Sequence, residues 1–390
     1  MTYRYPHVYP VLAPEHEQDL KSREVLLIDR HVAEEVLTPE MCLEVLELAF
    51  KEEGLGTAVN RTKTNIHLRG GDPDAPYRYC TMEGGISGLG AVGIRIKSDM
   101  PIQRKIGGMY REDWYCGFPG RFFGLIMLFS AKDGALLAML HDAHIHHMRV
   151  AATHALATRH LAKENASTLG ILGSGGMAWV HAIFLPKVCP IRRIKVYSPT
   201  PEHRHAFVRM ASEDLGIAVE AMNSAEEVVR GSDIVASCTN TLQPVVLGKW
   251  LGKGTHIILC KTDELDEEGW RMLDTLTLYQ SPPGIQGTSC DQLFTYTADP
   301  ELVYRLKGGM SRQEAANLKE WVPGNKVIGL PDLLLGRKSG RDDPRQITCV
   351  RTEGTGVQFA AVGFRVYEEA RKRGLGRKLP LEWFLQDVTN

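Results

Sequence analysis

Residues 168–178 read TLGILGSGGMA, an apolar run that leads straight into a glycine-rich turn. Gly173, Ser174, Gly175, Gly176, Met177 and Ala178 spell G-x-G-x-x-A behind a strand and ahead of a helix, the order that seats a dinucleotide pyrophosphate. Gly173 turns the chain tightly, Gly175 lets the backbone approach phosphate, and Ala178 lets the helix pack close to the strand. The first N–H groups of that helix then face the anion. Such turns are common in α/β proteins, so the weight rests on the strands downstream of this one. Residues 194–197, 218–221, 233–238 and 256–259 read as four further strands separated by helical stretches. Ser224, with Glu227 three residues on, is a capping box before one of those helices. The repeated alternation predicts an α/β fold with a doubly wound parallel sheet of Rossmann type.

With 390 residues there is room for two domains. A net charge of −1 gives no electrostatic case for a nucleic-acid or anionic-membrane partner. No apolar run approaches the roughly 20 residues of a spanning helix. The first 24 residues are polar, carry three prolines and lack the apolar core of a secretory signal, so they read as an arm. The eight cysteines are scattered without a C-x-x-C pair, as expected of buried free thiols in a cytoplasmic protein.

Ahead of the glycine-rich turn the pattern changes. VLLID (25–29) reads as a strand, and Thr38 with Pro39 opens a helix as N-cap and first helical residue. Residues 89–100 and 123–141 read as strands, the latter as two runs around the turn at Lys132, an antiparallel hairpin. An alanine-rich helix over about 149–163 leads into the parallel unit. Beyond 340, a strand at 346–350 and a helix ending at Gly374 are placed with the first part of the chain. The expected organisation is an arm (1–24), an α+β substrate and dimerisation domain formed from both chain ends (25–148, completed by 345–390), and a dinucleotide-binding domain (149–344). Residues 282–326 read as an insertion.

The segments RVAATHALA (149–157), GILGSGGMA (170–178), SDIVASCTNT (232–241), HIILCKTD (256–263) and TEGTGVQFAAVGFRVYEEARKRGLG (352–376) fall in an order and spacing that resemble the ornithine cyclodeaminase/μ-crystallin family. The resemblance spans about 25–380. It implies a homodimer, a small-molecule amino- or imino-acid substrate, and redox chemistry at its C–N bond. It also implies roles for particular residues. Arg61 and Arg149 match the arginines that hold the substrate carboxylate. In GIRIK (93–97), Arg95 stands where the family has its active-site lysine, and Lys97, two residues on, shares its face of the strand. An arginine does not release its proton near neutral pH, so proton transfer falls to Lys97 or the chemistry differs. Asp263 has the spacing of the carboxylate that works on the substrate amine; an ordinary loop or capping acid is the alternative. Thr239, Asn240 and Thr241 match the segment beside the nicotinamide ribose.

Cofactor preference is written at the end of the second parallel strand. NAD sites place an acid there, about 20 residues past the glycines, for the ribose 2′-hydroxyl. Here Ser198 and Thr200 stand instead, with Arg204 beyond, an arrangement that favours NADP(H) while Glu202 keeps NAD(H) open. The histidines of HDAHIHH (141–147) fit no standard metal spacing, so no metal is expected; His144 or His147 is expected to face the substrate instead. The leading expectation is an NAD(P)-dependent oxidoreductase, an imine or ketimine reductase or an amino-acid dehydrogenase. Ornithine cyclodeaminase, giving proline and ammonia, comes second, and a non-enzymatic crystallin-like nucleotide binder third.

Overall fold

The computed structural model describes residues 14–386 apart from 62, 73–74, 107, 280–294 and 298–326. The first 13 residues of the expected arm lie outside these, as does the expected insertion apart from one short strand. Helices Pro14–Ser22 (α1), Arg30–Val36 (α2) and Pro39–Leu55 (α3) accompany strands Glu24–Ile28 (β1), Ala58–Asn60 (β2), Thr64–Asp72 (β3), Ala75–Ile86 (β4), Ala91–Ile106 (β5), Met109–Cys116 (β6), Phe118–Pro119 (β7), Phe123–Ser130 (β8) and Leu136–His141 (β9). Helix Asp142–Leu161 (α4) then leads to strands Thr168–Leu172 (β10), Arg193–Tyr197 (β11), Ala218–Ala221 (β12), Ile234–Ser237 (β13), His256–Leu259 (β14) and Thr275–Tyr279 (β15). Between them run Gly176–Phe184 (α5), Pro201–Leu215 (α6), Ala225–Val229 (α7) and Glu267–Met272 (α8). Thr295–Thr297 (β16), Val327–Gly329 (β17), Leu330–Leu334 (α9), Thr348–Thr352 (β18), Gly356–Arg373 (α10) and Arg377–Pro380 (β19) complete the order.

The second sheet runs β12-β11-β10-β13-β14-β18-β15-β17, and every pairing in it is parallel. Ile171, Ala236, Ile258 and Val350 enter one hydrophobic cluster, whereas their strand neighbours Leu172, Val235, Ile257 and Cys349 enter another. Both faces are therefore covered, as a doubly wound parallel sheet requires. The first of those clusters continues through α4 and α10 into the first sheet, so the two sheets share a core.

Two expectations are corrected. The strand expected at 346–350 is Thr348–Thr352 and does not lie with the first sheet. It is inserted between β14 and β15, His256 pairing with Thr348 and Leu276 with Cys349. Burial decides this: Thr348, Cys349 and Val350 are all inaccessible, and only a sheet covered on both faces hides consecutive residues. Helix α4 begins at Asp142, not near 149, because the His141 ring caps it, Nδ1 accepting from Ala143 N at 3.3 Å.

The first sheet runs β16-β3-β4-β5-β8-β9-β1-β19, with β2 on β4, β6 on β5 and β7 on β6. Helix α10 lies directly on β4 and β5, with α3 and α4 packed against it. That approach needs glycine: a Cβ on Gly84 would stand 2.2 Å from Val357 N, and one on Gly93 2.8 Å from Ala360 Cα. On the other side of the sheet Leu27, Ile66, Leu68, Val92 and Phe123 remain exposed. Past Asp99, β5 leaves the sheet and pairs with β6 as a two-stranded ribbon reaching the second sheet. Among the described residues no helix is long and apolar enough to cross a membrane.

Candidate active site

A cleft of about 580 Å³ opens where β10, β11, β13 and β14 end, within the size range of small-molecule sites. The glycine-rich turn forms its floor. Gly173 has φ +113°, and a Cβ there would stand 2.4 Å from the Cys238 carbonyl oxygen, so neither the torsion nor the space admits a side chain. Gly175 caps α5 without any side-chain bond, which leaves the first N–H groups of the helix free for an anion. Gly173, Ser174, Gly175, Gly176 and Met177 line the cleft, and Ala178 is buried beneath it. This cradle fits a dinucleotide pyrophosphate.

At the end of β11, Ser198, Thr200 and His203 line the cleft. Arg204 does not. Its guanidinium turns under the strand end, Nη1 donating to the Ser198 carbonyl at 3.2 Å and Cζ lying 5.4 Å from the centre of the Tyr197 ring. Helical phase is the reason: Arg204 falls on the same buried stripe of α6 as Phe207 and Ala211.

The opposite wall is the β5–β6 ribbon. It is stitched to the loop after β13, Glu112 N donating to the Asn240 carbonyl at 3.0 Å and Leu242 N to the Tyr110 carbonyl at 2.9 Å. Asn240 Nδ2 donates to Asp113 at 3.1 Å. Thr239 donates through N and Oγ1 to the buried Glu264 at 2.9 and 2.7 Å, so the loop bearing Thr239, Asn240 and Thr241 is fixed from both sides. Lys261, at the end of β14, pairs with Glu112 at 3.0 Å.

Trp114 of the ribbon and Phe122 close the far end of the cleft. Lys97 Nζ lies 5.4 Å from the Trp114 ring centre and 5.7 Å from that of Phe122, paired with Asp99 at 2.7 Å. Burial first, and the charge of Arg78 next, pull its ammonium down to about 8, against the opposing pull of Asp99. Arg95 and Lys97 do share a face of β5, the face under α10. Arg95 is buried and committed to Asp142, Nε and Nη2 donating to Oδ2 at 3.0 and 2.6 Å.

Arg149 is buried just behind the wall. Nη1 donates to Gln358 at 3.1 Å, and Nη2 contacts Nδ1 of the wall residue His146 at 2.9 Å. The Arg95 and Arg149 guanidiniums each lie 4.9 Å from the Phe359 ring centre. Burial, then the Arg95 charge, hold Arg149 below its ordinary range, and burial likewise keeps His146 neutral. The Arg149 Nε has no hydrogen-bond partner among the described residues.

Arg95, Lys97 and Arg204 do not line the cleft, and Arg61 and Asp263 are not brought to it either. Arg61 is 68 % exposed and meets Glu83 at 3.5 Å, and Glu83 projects from the side of the sheet opposite α10. Asp263 lies on the turn Thr262–Glu264, which is pinned by Glu264, and it does not line the cleft; burial raises its carboxyl. Of the histidines in 141–147, His146 and His147 line the cleft and His144 does not. Sequence reasoning missed Lys261, Trp114 and Gln358. Only the last carried a signal, the Thr355-x-x-Gln358 capping box that opens α10.

Comparison with known proteins agrees with this architecture. The chain is 25 % identical over 362 residues to the Delta(1)-pyrroline-2-carboxylate reductase of Bacillus cereus, covering 91 % of this chain and 99 % of that one. The reductase of that name from Thermococcus litoralis, solved with NADH and L-proline, superposes with a TM-score of 0.72 at 24 % identity, covering 91 % of this chain and all of the other. An archaeal alanine dehydrogenase dimer with bound NAD gives a TM-score of 0.71 at 23 % identity, covering 92 % and 99 %. The model of one family matches residues 105–374, and the chain belongs to it: the ornithine cyclodeaminase/mu-crystallin family.

Proposed function

We propose that this chain is an NAD(P)-dependent oxidoreductase acting on the C–N bond of an α-imino or α-amino acid, as an imine or ketimine reductase or an amino-acid dehydrogenase. One observation carries the reading. The dinucleotide cleft ends at a wall backed by Arg149, a buried cation whose hydrogen-bonded partners, Gln358 and His146, are neutral. When bound, the nicotinamide dinucleotide supplies or accepts hydride at the substrate Cα. Arg149 holds the substrate carboxylate through its planar fork. Lys97, with its ammonium near 8, exchanges a proton with the substrate nitrogen at neutral pH. Trp114 and Phe122 keep water from the reacting centre. Arg95 positions Asp142 and Phe359 beneath Arg149.

NADP(H) is the favoured cofactor, because hydroxyls and His203 rather than an acid face the cleft at the end of β11. The working unit is a homodimer formed through the exposed apolar residues Leu27, Ile66, Leu68, Val92 and Phe123 of the first sheet. The substrate and dimerisation part comprises 25–148 with α10 and β19; the dinucleotide part comprises 149–344 with β18. The seven described cysteines are all free, which suits a reducing cytoplasm. The test is a screen of α-keto acids with ammonia and with larger amines, and of cyclic imino acids, following reduced nicotinamide absorbance with both cofactors. Consumption supports the reading. Ornithine converted to proline without net cofactor change replaces it with cyclodeamination, and tight nucleotide binding without turnover replaces it with a binder.

A further inference from the structure

Beneath the cleft, three ligand-type side chains that the proposed chemistry does not use converge from three elements. His154 on α4, His181 on α5 and Cys260 at the end of β14 bring two ring nitrogens and a thiol sulfur within 4.8 Å of one another. Both histidines are fully buried, and Cys260 faces the cleft, which provides an entry path. The hydrogen bonds matter more than the proximity. His181 Nδ1 bonds the Met177 carbonyl at 2.7 Å. A carbonyl only accepts, so the proton is on Nδ1 and Nε2 is bare. His154 Nε2 meets the Thr352 hydroxyl at 2.9 Å, and its Nδ1 faces His181 Nε2 at 2.8 Å. Both inner nitrogens thus point at one spot while both outer nitrogens are held by oxygen partners, the second layer of contacts that orients metal-bound imidazoles. Burial keeps both rings neutral, as ligands must be. The Cys238 thiol, also on the cleft floor, hydrogen-bonds that of Cys260.

We infer that His154, His181 and Cys260 form a binding site for a borderline-soft divalent cation of the zinc class, with its fourth position open to the cleft. Binding involves no redox change. Cys260 releases its thiol proton to solvent and becomes the anionic ligand. His154 moves its proton from Nδ1 to Nε2, where the Thr352 hydroxyl accepts it, and His181 is already bare at Nε2. With Zn–N distances of about 2.0–2.1 Å in tetrahedral geometry the two inner nitrogens separate to about 3.3 Å, a small motion from their present contact. The Arg149 charge acts on His154 and opposes a second cation there, so the thiolate is required to offset it.

The full-length protein, cleared of metal by a chelator and free of dinucleotide, is titrated with Co²⁺ and then with Zn²⁺. One Co²⁺ per chain is expected, with thiolate-to-cobalt charge-transfer absorption and the strong visible bands of tetrahedral cobalt, all abolished by excess Zn²⁺. Cys260→Ser should remove the charge-transfer absorption, and Cys349→Ser, at a thiol buried elsewhere, should retain it. Bands that persist in Cys260→Ser would assign the metal to exposed Cys116 or to the 141–147 histidines and overturn the site, as would binding without a thiolate band. Should Cys260→Ser not fold, alkylation of Cys260 in the unaltered protein decides: protection by Zn²⁺ supports the site, and equal labelling with and without Zn²⁺ overturns it.

Discussion

A guanidinium buried with neutral partners is an unfinished contact. The nearby Asp142 carboxylate is bonded to Arg95, so the proposed substrate carboxylate would be the anion that Arg149 lacks. Arg149→Ala is therefore expected to lower kcat/KM by roughly 30- to 1,000-fold, about 2–4 kcal/mol, with dinucleotide affinity nearly intact. Arg149→Lys should recover only part, because an ammonium lacks the planar fork. Kinetics, nucleotide titration and melting of one preparation test this together: a lowered melting temperature with unchanged kcat/KM would make Arg149 merely structural. At the other end of the cleft, NADPH should bind more tightly than NADH, and Ser198→Asp should reverse the order, since a carboxylate repels a 2′-phosphate and accepts from a 2′-hydroxyl. Equal or tighter NADH binding by the unaltered chain contradicts this. At this scale the sequence was legible where the constraint is local. Gly173 needs its torsion and its contact with the Cys238 carbonyl whatever the remainder does. Arg61 and Arg204 stand away from the cleft because their places hang on which side of a sheet or helix they occupy, and a one-step change of phase moves a side chain from cleft to core, as at Arg204, or to solvent, as at Arg61.

Helix α10 carries Gln358 and Phe359 to Arg149, so the proposed substrate end depends on it. Its seat is the glycine of the GIRIK strand. Gly93→Ala should push α10 away, because the new methyl would stand 2.8 Å from Ala360 Cα. Overpacking of this kind costs about 1–3 kcal/mol, so the melting temperature should fall by several degrees, roughly 2–4 °C per kcal/mol, and kcat/KM should fall in the fraction that stays folded. An unchanged melting curve would show that the helix retreats freely. Most elements could be read from periodicity and caps: Thr38 accepts from Met41 N at 3.3 Å, and Ser224 from Glu227 N at 3.2 Å. Sheet membership could not be read that way. A short strand at 348–352 fits either sheet by composition, and only the tertiary neighbours choose. The β5–β6 ribbon did leave a trace, the Gly107-Gly108 pair between two runs, but its polar face resembles a loop.

At the scale of the whole molecule, Leu27, Ile66, Leu68, Val92 and Phe123 stand exposed on one face of the first sheet among the described residues. Light scattering at micromolar concentration should give a dimer, and Ile66→Glu with Val92→Glu should give a monomer that still binds dinucleotide; a monomeric unaltered chain contradicts the assignment. Acid should act on the entire fold. Burial holds His154, His181 and His256 neutral, the last two down to about 4 and about 3, while the unfolded chain takes up protons near 6.5. The unfolded state thus binds more protons below that value, so this part of the stability is complete above about pH 6.5 and is lost progressively as pH falls toward 4. Melting at about pH 7.5 and about pH 5 checks the sign, and equal values would contradict it. The place of β18 bears on synthesis as well. β14 ends at Leu259 and its partner begins at Thr348, 89 residues later. At translation rates of about 5–20 residues per second, the growing chain carries a bare, hydrophobic strand edge for roughly 4–18 s before the partner strand leaves the ribosome. The helix that seats the first sheet arrives later still, so neither half can finish folding until α10 has left the ribosome, and the nascent chain is a natural client for a chaperone throughout that interval.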